Sequence, residues 1–239
     1  FYRAHSRPDG AILVVAGDVR ADDVRREILR RLGSWQAAGG APPPPPPAPS
    51  VAPPQSRTVK RELTQATILF GRPAVGHAHP DYYPLVAASY ILGGGSTSRL
   101  YSRVREEKGL AYDVGSHLAV GRYGATLLIN LQTRTDGVAE ASRLVQEEME
   151  RLGKEPVPDA ELAKAKAYLI GSFPLRMETT SQVAGLLQAV EEYGLGLDYP
   201  ARYRRVIEQV TAADIQRVGR RYFDPAGFSS VTVGNFPSP

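Results

Sequence analysis

Apolar residues recur along this chain with two periods, and the switches between them mark out its elements. Ala11 to Ala16, AILVVA, is a short continuous apolar run bounded by Gly10 and Gly17, the pattern of a buried strand. Residues 20–33 then repeat at helical spacing, with Val24, Ile28, Leu29 and Leu32 on one face and arginines opposite. Val59, Arg61 and Leu63 alternate with Lys60 and Glu62, and the apolar stretch to Phe70 extends them into one long strand. Asp81 is placed to cap a helix over 82–92. Residues 111–120 and 123–133 alternate as two strands joined at Gly121–Arg122. Tyr112, Val114, Ser116, Leu118 and Val120 share one face of the first, and Ala125, Leu127, Ile129 and Leu131 share one face of the second.

Helical spacing dominates from there. Asp136 starts a helix carrying Val138, Ala141, Val145, Met149 and Leu152 in register. Pro158–Asp159 opens another, which must kink or break near Pro174 because proline lacks the N–H and clashes with the preceding turn. A third covers 179–192, and a shorter one follows Pro200. Thr211 with Asp214 forms a capping-box pattern ahead of Ile215, Val218 and Tyr222. Phe228 to Val233 closes the series as a strand. Residues 57–235 thus read as one α+β domain.

Composition changes this picture in a few places. Pro42 to Pro47 is an unbroken proline run, so 37–56 is a polyproline II spacer between two folded pieces. A proline-recognition ligand is the sharper alternative for that run. With 42% hydrophobic residues among 239, the chain is long and apolar enough to bury a core. It holds no apolar run of the ~18 residues a membrane span requires. The absence of cysteine excludes disulfides and thiol catalysis and leaves the compartment open. The net charge of +4 comes from arginines dispersed among acids on helices, the pattern of solvated faces and not of a nucleic-acid-binding patch. One internal echo bears on organisation. Pro8-x-Gly10, six residues and Gly17–Asp18 recurs as Pro225-x-Gly227, six residues and Gly234–Asn235. Residues 1–18 are then expected to end one copy of a domain and 218–235 a second copy.

The stretch Ile91 to Asp113, ILGGGSTSRLYSRVREEKGLAYD, carries the candidate chemistry. Gly93, Gly94 and Gly95 end one helix and leave backbone exposed; Ser96, Thr97 and Ser98 offer hydroxyls to cap the next. That helix carries Leu100, Tyr101, Val104 and Lys108 on one face, stops at Gly109, and leads into the strand that holds Tyr112. Read on its own, Arg105 is a solvated cation favoured by the helix C-terminal dipole, and Tyr112 a half-buried strand residue. The glycines have a plain alternative as a helix C-cap and tight turn. A phosphate-cradling role is excluded because the Lys-Ser/Thr of a P-loop is missing.

This stretch resembles the second, non-catalytic domain of the pitrilysin family of zinc metallopeptidases. The segment REEKGLAY, from Arg105 to Tyr112, and the run GGGSTSRLY carry the resemblance. It extends over nearly the whole chain. It implies an α+β fold with an antiparallel-rich sheet and helices packed on one face. Residues 1–36 would be the strand–helix tail of a preceding catalytic domain, 37–56 a linker, and 57–239 the C-terminal non-catalytic domain. It further implies that Arg105 and Tyr112, with the Gly93–Gly95 loop, hold the backbone of a peptide or unfolded polypeptide substrate. The partner would be a zinc-bearing domain or subunit, in a homo- or heterodimer. A structural subunit resembling the respiratory-complex core proteins of the same family is the alternative.

The family's zinc site needs a His-x-x-Glu-His helix and a distant Glu. None of His5, His77, His79 and His117 sits in that motif, so this chain alone is expected to be inactive and to hold no zinc; the metal belongs to the rest of the protein or to a partner. His77-x-His79 is a minor metal candidate with no third ligand nearby, and a free-standing enzyme built on it is the remaining rival. His5 and His117 are lone histidines with structural or exposed roles.

Overall fold

The computed structural model describes residues 6–36, 52–122 and 124–236. The proline run and His5 therefore lie outside the described residues. The chain divides into two compact units, one of residues 1–50 with 172–199 and the other of 51–171 with 200–239.

The larger unit is built on a five-stranded sheet in the order β1-β5-β2-β4-β3, with β1 Ser56–Lys60, β2 Ala66–Ala74, β3 Ala111–Gly121, β4 Gly124–Thr133 and β5 Ser229–Gly234. Only the β1–β5 pair is parallel; the others are antiparallel. The segment expected as one long strand is two. β1 and β2 flank β5 on opposite sides and run in opposite directions, so the chain must reverse between them. It does so over 61–65, where the Arg61 amide donates to the Gly234 carbonyl.

One face of the sheet is buried through Ala66, Ile68 and Phe70 of β2, Leu127, Ile129 and Leu131 of β4, and Val114 and Ser116 of β3. Three helices of this unit pack together beside it: α2 Tyr82–Gly93, α3 Val138–Lys154 and α7 Ala212–Tyr222, where α1 is Ala21–Leu32, α4 Asp159–Ser172, α5 Thr180–Glu192 and α6 Tyr199–Gln209. The other face is partly open, exposing Leu69, Val231 and His117. The expected periodicities hold in detail. Ala141, Val145, Met149 and Leu152 of α3 are buried, as are Ile215, Val218 and Tyr222 of α7. The Thr211–Asp214 capping box is formed in both directions. Helix α4 gives way to a 3-10 turn, Phe173–Met177, at Pro174.

In the smaller unit, α1 forms as expected, but AILVVA does not form a strand. A strand needs a neighbour for its N–H and C=O groups, and none of the strands of the five-stranded sheet pairs with residues 11–16. Helix α1 buries none of its residues, and Leu13 and Leu29 are 60% and 62% exposed. In the same unit α5 follows the 3-10 turn through the Thr179–Gln182 capping box.

Asp81 does not cap α2 with its side chain. It is only 2% exposed, and its carboxylate lies against α7, accepting from the Arg217 guanidinium, from Arg221 Nη1 at 3.1 Å and from the Tyr222 hydroxyl at 3.1 Å. Burial pushes the carboxyl toward the neutral form, but the Arg217 and Tyr222 hydrogen bonds outweigh it and hold Asp81 below the usual carboxylate range. A depressed carboxylate pKa contributes stability that is present above its unfolded value and lost as pH falls through the folded one. Asp81→Asn is therefore expected to cost about 1–3 kcal/mol at neutral pH, from the loss of charge-assisted bonds at a buried group. It is also expected to flatten the acid limb of stability below about pH 4. Urea unfolding of both proteins between acid and neutral pH checks both effects.

Candidate functional site

The end of α2, a helical segment and the start of β3 come together at the Ile91–Asp113 stretch. Gly93 is buried where α2 crosses β3, and a Cβ there would meet the Ser116 amide nitrogen at 2.4 Å and the Gly115 carbonyl carbon at 2.8 Å. Beside it the hydroxyls of Ser89 and Ser116 bond at 2.8 Å. Gly94 is the C-cap, its amide donating to the Tyr90 carbonyl at 2.8 Å, and a Cβ there would strike the Tyr90 ring at 2.3 Å. Gly95 is exposed, and a Cβ there would meet only the Tyr90 hydroxyl, at 3.7 Å. Packing thus dictates the first two glycines, and only Gly95 presents backbone without a steric reason. Ser98 ties off the turn, its hydroxyl donating to the Gly95 carbonyl at 2.6 Å.

The helix expected next is wound wide. Tyr101–Glu107 is π-helical, and its end bonds run from the Gly109 amide to the Arg105 carbonyl and from the Leu110 amide to the Val104 carbonyl, both 3.0 Å. Each is one residue wider than the usual Schellman pair. Gly109 makes the exit at φ +59°. Leu100 and Val104 are buried, but Lys108 is exposed and does not belong to their face, because it lies at the unwinding end.

Strand β3 opens with a β-bulge: Ala111 faces Thr133 and Asp113 faces Gln132, leaving Tyr112 as the extra residue. This corrects the expected face. Ala111 turns into the core with Val114 and Ser116, and Tyr112 is thrown outward, 76% exposed.

The two irregularities meet at Arg105. Its Cζ lies over the Tyr112 ring at 5.0 Å and over the Tyr101 ring at 4.7 Å. Among the described residues its guanidinium makes no ion pair or hydrogen bond, although Glu106 and Glu107 are adjacent and exposed. The neighbouring arginines behave differently. Arg99 grips Glu161 with two bonds of 2.8 and 2.7 Å, and Arg103 binds Glu147 and the buried Glu148, both at 2.8 Å. Arg105 alone of these three has its forked donors unpaired among the described residues.

The described histidines bond within their own loop or face outward. The His77 Nε2 bonds the Tyr82 hydroxyl at 3.0 Å, and the His79 Nδ1 accepts from the Asp81 amide at 3.0 Å. His117 is exposed on β3. Among the described residues no group of three or more His, Cys, Asp or Glu side chains is placed to hold a metal ion, so this donor set does not fit zinc. No described helix is long and apolar enough to cross a membrane.

The Tyr101 contact and the Asp81 clamp were missed from the sequence. The first had a signal, the four-residue spacing of Tyr101 and Arg105; the second joins residues 136 or more apart and had none.

Comparison with known proteins places these features in context. A family model described as the peptidase M16 inactive domain matches residues 1–169. An uncharacterized zinc protease of Bacillus subtilis is 30% identical over 178 residues, 73% of this chain and 42% of the relative. The crystal structure of a peptidase M16 inactive domain from Pseudomonas fluorescens superposes with a TM-score of 0.80 at 25% identity, over 93% of this chain and 53% of that one. A chain of complex III from Candida albicans shares the fold at TM-score 0.75 and 15% identity, over 92% of this chain and 54% of that one. The chain spans about half the length of the curated relatives it matches.

Gly93→Ala is expected to cost about 1–3 kcal/mol, since backbone must move to admit the methyl group. Gly95→Ala is expected to leave stability within about 0.5 kcal/mol of wild type. Denaturant unfolding of the two variants checks the contrast.

Proposed function

The chain belongs to the peptidase M16 inactive-domain family, and from that membership we propose that it is the substrate-holding, non-catalytic half of a zinc metallopeptidase acting on peptides or unfolded polypeptide segments. The observation that carries this reading is the guanidinium of Arg105, held by aromatic rings and bound to no carboxylate among the described residues. A cation kept in that condition at a surface suits a ligand rich in carbonyl oxygens, and an extended peptide is such a ligand. Tyr112, turned outward by the bulge, offers its hydroxyl to a second peptide oxygen. Gly95 lets a peptide backbone approach the loop closely.

Arg105, Tyr112 and the glycine loop bind and orient; none needs to react covalently. The zinc and its ligands belong, in this reading, to a preceding half of the same protein or to a partner subunit, giving a homo- or heterodimer. Metal analysis of the full-length protein separates the two: about one zinc per chain assigns the metal to the same polypeptide, and none assigns it to a partner. We also take residues 1–36 as the tail of that preceding half, 37–56 as a linker and 57–239 as the inactive domain. The exposed Leu29 and Leu32 of α1 support this division, since an apolar helix face left bare is suited to another surface.

Arg105→Ala in the full-length protein, together with its catalytic half, is expected to lower kcat/KM for an unfolded peptide about 10- to 100-fold, the worth of hydrogen bonds from a charged donor. Tyr112→Phe is expected to lower it about 10-fold, with the unfolding midpoint unchanged in both variants. Steady-state peptide cleavage checks these values. A scaffolding subunit would instead show partner binding and peptide handling untouched by Arg105→Ala.

A further inference from the structure

Tyr101 closes the GGGSTSRLY run but was given no role in holding substrate, yet its ring is nearer to the Arg105 guanidinium than that of Tyr112, at 4.7 Å against 5.0 Å. We propose that Tyr101 is a positioning residue: its ring, acting with that of Tyr112, orients Arg105 for substrate by cation–π contact and so keeps the arginine from collapsing onto Glu106 or Glu107. This rests on the reading of Arg105 as a substrate-holding residue and adds a third member to that site.

An arginine beside carboxylates ordinarily pairs with one, as the largely buried Arg99 and the more exposed Arg143 and Arg151 do in this unit. Pairing fixes the side chain but occupies the donors a ligand would need. An aromatic ring attracts the cation through its quadrupole and asks for no acceptor oxygen, so it fixes the side chain while leaving the N–H fork available. Two rings from different elements restrict the guanidinium more than one, because neither can drift without the other. The backbone is arranged to supply both. The π-helical winding places Tyr101 next to Arg105 four residues on, and the bulge turns Tyr112 out of its strand face toward the same cation. Each irregularity forgoes regular hydrogen bonding. Their shared outcome is this three-residue contact.

The test uses full-length protein with selectively labelled arginine and a fluorescent, permanently unfolded peptide as ligand. Binding is read by anisotropy, and the Arg105 side-chain Nε–H resonance by NMR. In wild type and in Tyr101→Phe, which keeps the ring, the Arg105 signal is expected to be ring-current shifted and the affinities to agree within about twofold. In Tyr101→Leu the shift should fall and affinity weaken roughly 2- to 30-fold, the range one cation–π contact spans. Tyr101→Met substitutes for Leu should the latter unfold. Arg105→Ala is the reference. Tyr101→Leu binding like wild type while Arg105→Ala is weakened would overturn this inference alone. Arg105→Ala binding like wild type would overturn the reading of Arg105 and this inference with it. Weakening by Tyr101→Phe equal to that by Tyr101→Leu would also overturn it, because the hydroxyl and not the ring would then be responsible.

Discussion

Helix α2 lies on strand β3 backbone against backbone at Gly93, and the geometry of the candidate site depends on that contact. A methyl group at Gly93 would meet the Ser116 amide at 2.4 Å, so any side chain would lift the helix end away from the strand. The other end of α2 is pinned by a different force, the buried Asp81 carboxylate gripped by Arg217, Arg221 and Tyr222 of α7. With both ends fixed, the glycine turn leaves α2 in a set direction. The π-helical segment is then delivered to the bulged start of β3, four residues along the strand from Ser116. The reach of Arg105 to both rings follows from that delivery.

Charge is distributed around the site with a consistent logic. Arg99 and Arg103 bind carboxylates that are partly or fully buried, and they serve to tie the π-helical segment to its surroundings. Arg105 is spared such a partner and is held instead by aromatic rings. On the proposed reading, arginines close together on one short stretch divide between structural pairing and readiness for a ligand. A purely architectural domain gains little from leaving an arginine in that state, since pairing would add a modest surface stabilisation of up to about 1 kcal/mol.

Much of this fold was legible in the sequence because its helices and strands carry clean periodicity. The apolar registers of α3 and α7, the helix break at Pro174 and the Thr211–Asp214 capping box all follow from local rules. The misreadings have physical causes. Residues 11–16 have strand composition, but composition cannot supply the neighbouring strand that a ladder requires. The single long strand expected across 59–70 is divided because β5, some 160 residues away in the chain, lies between its halves. Strict alternation puts Tyr112 on the face of Val114 and Ser116, and one extra residue at the bulge turns it to the other side. The candidate site residues come from the resemblance carried by GGGSTSRLY and REEKGLAY, and no local rule indicates their aim, because a bulge and a π-turn are set by tertiary packing.

The central claim is that the surface around Arg105 faces a bound polypeptide. Photo-crosslinking tests it most directly. The full-length protein would be mixed with an unfolded peptide carrying a benzophenone side chain and irradiated, and the attached sites mapped by mass spectrometry. The account predicts attachment concentrated between Gly95 and Tyr112, suppressed by excess unlabelled peptide. Competable attachment confined to other surfaces, with this stretch unmodified, would contradict it.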